Sequence, residues 1–360
     1  SPNVDNNKSD NTNNESTGDG LFRVKLTYRD IDTELCYALA PIKHAYMLMK
    51  FNLIDSLVDP LVSTLSSAVN SALNPLGLAK RASNQYLGAI NYANDAEILQ
   101  VLISGNCNNK RKFDYTKSST MKYNNSDFSI TYDDGSSSNG LQEQDTCQIG
   151  NMNIRNQQFA MINDMSPGFQ NDAIDGIMGL GYDSLSVYPG TQTPFTNMYN
   201  QSLIPQQIFS VQLRPARNKT NYGGIFVFGG IDSNLYTGSI TYTPVTYKYF
   251  WQIGIDAVEY NGKAVTSSSK GHKQQCIVDT ATALLILGTD VAKTLHTSMN
   301  GKYNSSSQRW QVPCNLNSST KVSIKVNGVS LPINYQDLVR EEISSGGSWC
   351  YSGIASTNSS

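Results

Sequence analysis

The run Ile277-Val278-Asp279-Thr280-Ala281-Thr282-Ala283-Leu284-Leu285 places one carboxylate and two hydroxyls just past an apolar strand. A carboxylate there does hydrolytic chemistry only with a second one. Two aspartates at ~3 Å cannot both ionise, so they share one proton, and the resulting acid and base activate water against a carbonyl. Nothing in the first half of the chain supplies the matching aspartate: Val101-Leu102-Ile103 runs into Ser104-Gly105-Asn106-Cys107.

Other reactive residue types are scattered. The three histidines, His44, His272 and His296, form no cluster, and no Cys-x-x-Cys pairing occurs, so neither a metal nor a cofactor is expected. The six cysteines, Cys36, Cys107, Cys147, Cys276, Cys314 and Cys350, read as structural staples rather than nucleophiles. Asn-x-Ser/Thr sequons stand at Asn14, Asn124, Asn200, Asn218, Asn304 and Asn317, the pattern of a glycosylated chain that has crossed a secretory pathway.

The elements that must position Asp279 are β-strands. After Lys80 the chain reads as short apolar runs punctuated by Gly, Asn, Asp and Pro, with helical stretches only over 194–201 and 289–299, so an all-β architecture with small helices is predicted. Val322–Val326 and Val329–Ile333 flank Asn327-Gly328, a two-residue hairpin signal. Earlier segments differ in character. Residues 1–20 are polar with little to bury and are expected to be a disordered tail. Leu21 to Leu26 alternates apolar and basic residues. From there to Leu73 the pattern turns helical, with Ile54, Leu57, Val58, Leu61, Val62, Leu65, Val69, Ala72 and Leu73 on one face and Pro60 starting or kinking the helix.

Composition narrows the partners. Charged residues make up 16% of the 360, with a net charge of −2, against ~25% charged residues in an average soluble domain. No basic patch supports nucleic-acid binding, and no apolar run reaches the ~18 residues of a membrane span. The first residue is Ser1, as expected where a signal peptide has been removed.

Several segments, in order and at their spacing, resemble the pepsin family of aspartic proteases. Phe128-Ser129-Ile130-Thr131-Tyr132-Asp133-Asp134-Gly135-Ser136 is similar to the family's flap hairpin, with Asp145-Thr146 and Ile149-Gly150 continuing it. Ala173-Ile174-Asp175-Gly176-Ile177-Met178-Gly179-Leu180-Gly181, then Gly223 to Asp232, Tyr236-Thr237-Gly238-Ser239 and Tyr249-Phe250-Trp251-Gln252-Ile253 follow. The resemblance covers roughly 86–351. It implies a bilobal all-β fold with an N-terminal lobe over 86–213, a C-terminal lobe over 214–360, and a monomer that takes a peptide or protein between the lobes beneath Tyr132. It further implies that Asp279 is the second catalytic aspartate, that Thr282 supports it, and that Cys314 pairs with Cys350. Leu21 to Leu26 resembles the first strand of an inhibitory prosegment, giving a leader over 21–85 that Lys80-Arg81 would allow to be removed. Localisation would be secreted or lysosomal.

Three departures qualify that reading. The family's first Asp-Thr-Gly is absent after Ile103, and Asp114 is a poor substitute because it belongs to the Phe-Asp turn that the family carries beyond its active loop. Ala281 stands where the family has glycine, and Ala283 where it commonly has a hydroxyl. The chain ends in a polar tail after Trp349-Cys350-Tyr351, so the C-terminal lobe is expected to lack its final strands. Asp279 would then be a catalytic remnant in a peptide-binding pseudoprotease. The alternatives are an active endopeptidase whose sequence here is an incomplete gene model, and a homodimer in which two chains each contribute Asp279.

Overall fold

The computed structural model describes residues 21–27, 51–52, 89–93, 99–102, 112–131, 137–149, 151–167, 176–186, 188, 190–213, 222–266, 273–280 and 284–357. Up to Thr237 they form β1 (Phe22–Thr27), β2 (Phe51–Asn52), β3 (Ala89–Ala93), β4 (Leu99–Leu102), β5 (Lys122–Thr131), β6 (Ser137–Ile149), β7 (Met152–Met165), β8 (Gly176–Gly179), β9 (Phe209–Leu213), β10 (Tyr222–Phe228) and one short helix, α1 (Pro194–Asn200). The first seven-stranded sheet runs β2-β3-β8-β4-β7-β6-β5, and β1-β10-β9 form a second.

The run Phe159-Ala160-Met161-Ile162 explains why β7 is central. Phe159 and Met161 join a cluster with Ile154, Met178, Phe195, Phe226 and Phe228, while Ala160 and Ile162 point the other way onto Phe128. A strand buried on both faces must be apolar without alternation. Against β6, β7 bulges at Asn163, between the pairs Asn139–Asp164 and Gly140–Ile162, and the Met161 carbonyl approaches Gly140 so closely that any side chain there would collide with backbone. Aromatic rings fill the space under β9 and β10: Phe195 meets Phe209 edge-on at 5.0 Å. Each such ring contributes about 1.5–3 kcal/mol of burial. Helix α1 starts where expected, because Thr193 accepts from the Thr196 amide and Pro194 has no N–H to waste in the first turn.

From Gly238 a separate unit contains β11 (Val245–Lys248), β12 (Trp251–Ile255), β13 (Ala257–Tyr260), β14 (Lys263–Ala264), β15 (Gln274–Ile277), β16 (Leu285–Leu287), α2 (Thr289–Ser298), β17 (Lys302–Asn304), β18 (Arg309–Pro313), β19 (Val322–Val326), β20 (Val329–Ile333), β21 (Val339–Glu342), β22 (Trp349–Ser352) and β23 (Ile354–Ser356). Its sheets are β11-β12-β15, β14-β13-β19-β20, β17-β18-β22-β21 and the parallel pair β16-β23. Val258, Leu295, Val312, Val322, Leu338 and Ile354 form its core. The β19–β20 hairpin turns through Asn327 (φ 46°) and Gly328 (φ 81°). Two positive φ values make the turn that matches strand twist, and Asp256 accepts from the Gly328 amide at 2.7 Å. Pro332 on the outer strand removes an N–H from the exposed edge.

The architecture is all-β with small helices, as the sequence predicts. The chain divides into its two units after Thr237, with β10 paired to β9 and to β1. Phe51–Asn52, inside the stretch read as helical, is strand paired to Ile90 and Ala89. Residues 1–20, the helical face from Ile54 to Leu73, and Lys80-Arg81 lie outside the described residues. No helix among the described residues is long and apolar enough to cross a membrane.

Candidate active site

Asp279 follows β15 and is half-buried. The chain enters its loop with the Val278 amide donating to the Trp251 carbonyl at 3.0 Å. Ile277 and Val278 themselves remain 45% and 47% exposed, so backbone bonding rather than packing of these two side chains fixes the entry. The exit is held more firmly. Leu285 N donates to Gly353 O at 3.0 Å, β16 pairs in parallel with β23, and Thr357 N donates to Leu287 O at 2.8 Å. Helix α2 then begins at Thr289, whose hydroxyl donates to the Thr357 carbonyl at 2.7 Å. A carboxylate is thereby presented on a loop pinned at both ends. Thr282, expected to hold its outer oxygen, and Ala281 and Ala283 lie outside the described residues.

In the other unit, β4 pairs in parallel with β7, Leu99 opposite Phe159 and Leu102 opposite Ile162. The stretch 103–111 that follows lies outside the described residues, and its sequence holds no Asp or Glu. Asp114, the next carboxylate, caps the 3-10 turn over Tyr115–Lys117: it accepts from Thr116 N at 3.2 Å and Thr116 Oγ1 at 2.6 Å, and pairs with Lys117 Nζ at 2.7 Å. Lys117 first, then Thr116, hold this carboxyl below its usual range. These bonds occupy Asp114 as a turn residue.

The hairpin expected to act as a flap is formed by β5 and β6, in register to Thr131 opposite Ser137, and Tyr132, the next residue in sequence, lies outside the described residues. The hairpin is braced toward its turn by a residue that no local pattern singles out. Tyr188 stacks on Phe128 with centroids 5.8 Å apart and donates to the Asp127 carbonyl at 2.7 Å. Lower in the same hairpin, buried Glu143 accepts from the Asn124 and Asn125 amides. That contact presents the Asn124 sequon outward on a bulge, and Asn124 is exposed.

Cys314 and Cys350 form a disulfide, as expected. Cys147 and Cys276 are free thiols; burial, with Asp145 adding to it, pushes Cys147 up to about 12, and burial raises Cys276. A thiol so rarely ionised is a poor nucleophile, but neither Cys147 nor Cys276 is the disulfide staple expected of it. Cys36 and Cys107 lie outside the described residues. Among the sequons, Asn200 and Asn317 are exposed, Asn304 is half-buried, and Asn218 lies outside the described residues. Asn304 and Asn317 each accept from backbone amides two residues on, Ser306 and Ser319. Among the described residues no cluster of His, Cys, Asp and Glu could hold a metal.

A family profile described as Eukaryotic aspartyl protease matches residues 94–360. Rhizopuspepsin of Rhizopus chinensis is 32% identical over 239 residues, covering 66% of this chain and 59% of that protein. Pepsin A of Canis lupus familiaris is 34% identical over 230 residues, 63% of this chain and 57% of that protein. Rhizopuspepsin-1 of Rhizopus niveus is 29% identical over 264 residues, 73% and 65%. The chain thus spans less than two thirds of the length of these relatives. With an all-β fold, an Asp-Thr loop pinned after β15 and a disulfide at the expected pair, the chain belongs to the eukaryotic aspartyl protease family.

Proposed function

We propose that this chain, as its sequence stands, is a peptide-binding pepsin-like protein that does not hydrolyse its ligand. The observation that carries the reading is the end of β4: residues 103–111 contain no carboxylate, where the resemblance calls for the first Asp-Thr-Gly. Asp114 is committed to Thr116 and Lys117. Without a first Asp-Thr-Gly in the sequence, the motif at Asp279 cannot supply acid and base together. In this reading Asp279 and Thr282 are a binding remnant, Tyr132 closes over the ligand, and the chain is a monomer of the secretory or lysosomal route, glycosylated at Asn124, Asn200, Asn218, Asn304 and Asn317. Residues 86–213 and 214–360 correspond to the two lobes of the relatives, and 21–85 to a prosegment.

The test is calorimetric titration of the full chain with pepstatin and with extended peptides. Binding that weakens in Asp279→Ala, with no peptide turned over, supports the reading. Absence of any binding contradicts it.

A second reading, an active acid endopeptidase whose first active loop is missing from this sequence, is favoured by one observation: the retained motifs are collinear while the match covers only 57–65% of the relatives' length. Sequencing the transcript across 102–112 separates the two. An inserted Asp-Thr-Gly segment establishes the second, and an uninterrupted match removes it.

A further inference from the structure

Helix α2 carries one histidine with no exposed surface, His296. Its ring stacks on Trp310 of β18, centroids 4.2 Å apart and planes 9° from parallel. Nδ1 lies 2.6 Å from the Ala292 carbonyl oxygen, and Nε2 lies 2.8 Å from Ser352 Oγ. A carbonyl oxygen only accepts, so the proton of the neutral ring sits on Nδ1, and Nε2 accepts from the Ser352 hydroxyl. Ser352 Oγ in turn accepts from the Ile354 amide at 3.1 Å. A second ring proton would make Nε2 a donor, forcing the hydroxyl to turn its own hydrogen away from the ring.

Among the described residues no carboxylate is bonded to this ring. On its own helix, Asp290 and Lys293 are exposed. On the neighbouring sheet, Arg309 lies over the Tyr351 ring and Lys302 over Trp349. Tyr303 meets Trp310 edge-on. From β21, Glu341 pairs with Arg340, and Glu342 accepts from the Gly346 amide; Asp337, before that strand, is exposed. The attraction of the Trp310 face for a cation does not replace the hydration that a buried, unpaired charge gives up. Burial pushes His296 down to about 4, the Ala292 carbonyl acting the other way.

The bonds of this ring reach the candidate site. Ser352 is followed by Gly353, whose carbonyl holds Leu285, and by β23, which pairs with β16 at the exit of the Asp279 loop. We propose that His296 is an acid sensor built into the second unit: neutral, it ties α2 to the β22–β23 turn, and its protonation loosens that turn and with it the exit of the Asp279 loop. This goes beyond the peptide-binding reading and holds whether or not the loop does chemistry.

The experiment uses the full chain. Imidazole C–H signals are followed by NMR from pH 7.5 to 3.5, with His296 assigned by elimination in His44→Gln and His272→Gln variants. Hydrogen exchange at the Leu285 and Thr357 amides is measured over the same range and corrected for the intrinsic rate. His296 is expected to titrate at least one unit below the ordinary value of about 6.5, and protection of both amides to fall roughly tenfold or more as it does so, while amides in β19 keep theirs. In His296→Gln the pH dependence of that protection disappears. A His296 that titrates near 6.5, or amide protection that stays constant while the ring titrates, overturns the proposal, and both are read on the wild-type chain alone.

Discussion

Arg23 Nε lies 2.7 Å from Asp232 Oδ2, joining β1 to the turn that follows β10. The same carboxylate caps the next 3-10 turn, accepting from Asn234 N at 3.0 Å. Phe22, beside Arg23, is buried in the aromatic core of this unit. Strand β1 is therefore fastened by a ring, a ladder and an ion pair.

Truncating that carboxylate isolates a largely buried guanidinium contact and an amide donor. Asp232→Ala is expected to cost about 2–3 kcal/mol at pH 7, measured by urea unfolding. The Asn234 amide first, then Arg23, hold the Asp232 carboxyl below its usual range. A depressed carboxyl contributes stability that is present above its unfolded value of about 3.9 and is lost as pH falls through the folded one. The gap between wild type and variant should therefore narrow below about pH 4.

Buried His296 has the opposite chemistry and the same direction. With its value pushed down to about 4, the unfolded chain binds the proton more readily between pH 6.5 and 4, so stability of the second unit falls across that window and levels off beneath it. Trp251, Trp310 and Trp349 are all in that unit. Unfolding followed by tryptophan emission should show a loss of roughly 3 kcal/mol over the window, absent in His296→Gln.

The disulfide closes a loop between residues 36 apart. Replacing both Cys314 and Cys350 by Ala is expected to lower stability by about 3–4 kcal/mol, chiefly by freeing the unfolded chain, seen as a drop in the melting temperature of the tryptophan signal.

Gly328 sits at φ 81° in the β19–β20 turn. Its Cβ would meet nothing within 4 Å, so Gly328→Ala tests backbone strain alone. About 1 kcal/mol of destabilisation is expected by urea unfolding.

Local features of this fold were legible because local chemistry decides them. Asn327-Gly328 between alternating strands, Pro194 after Thr193, and the apolar face of α2 each announce their element over a few residues. Long-range pairing was not. β10 belongs with β1 through Phe22 opposite Phe228, and Arg23 meets Asp232 across 209 positions; no local pattern records either. His296 looked like a scattered histidine because its burial depends on β18 and β22, and Tyr188 went unnoticed because its partner, Phe128, lies on a distant hairpin. The candidate site was readable only on the Asp279 side, where an apolar strand runs straight into the motif.

Incubation of the purified full chain with unfolded protein and peptide substrates across pH 3 to 7, with and without pepstatin, tests most directly whether one aspartate is all this sequence brings to the chemistry. No pepstatin-sensitive cleavage is the predicted result. Cleavage that pepstatin blocks and that disappears in Asp279→Ala would contradict it, because a second acid would then have to stand opposite Asp279.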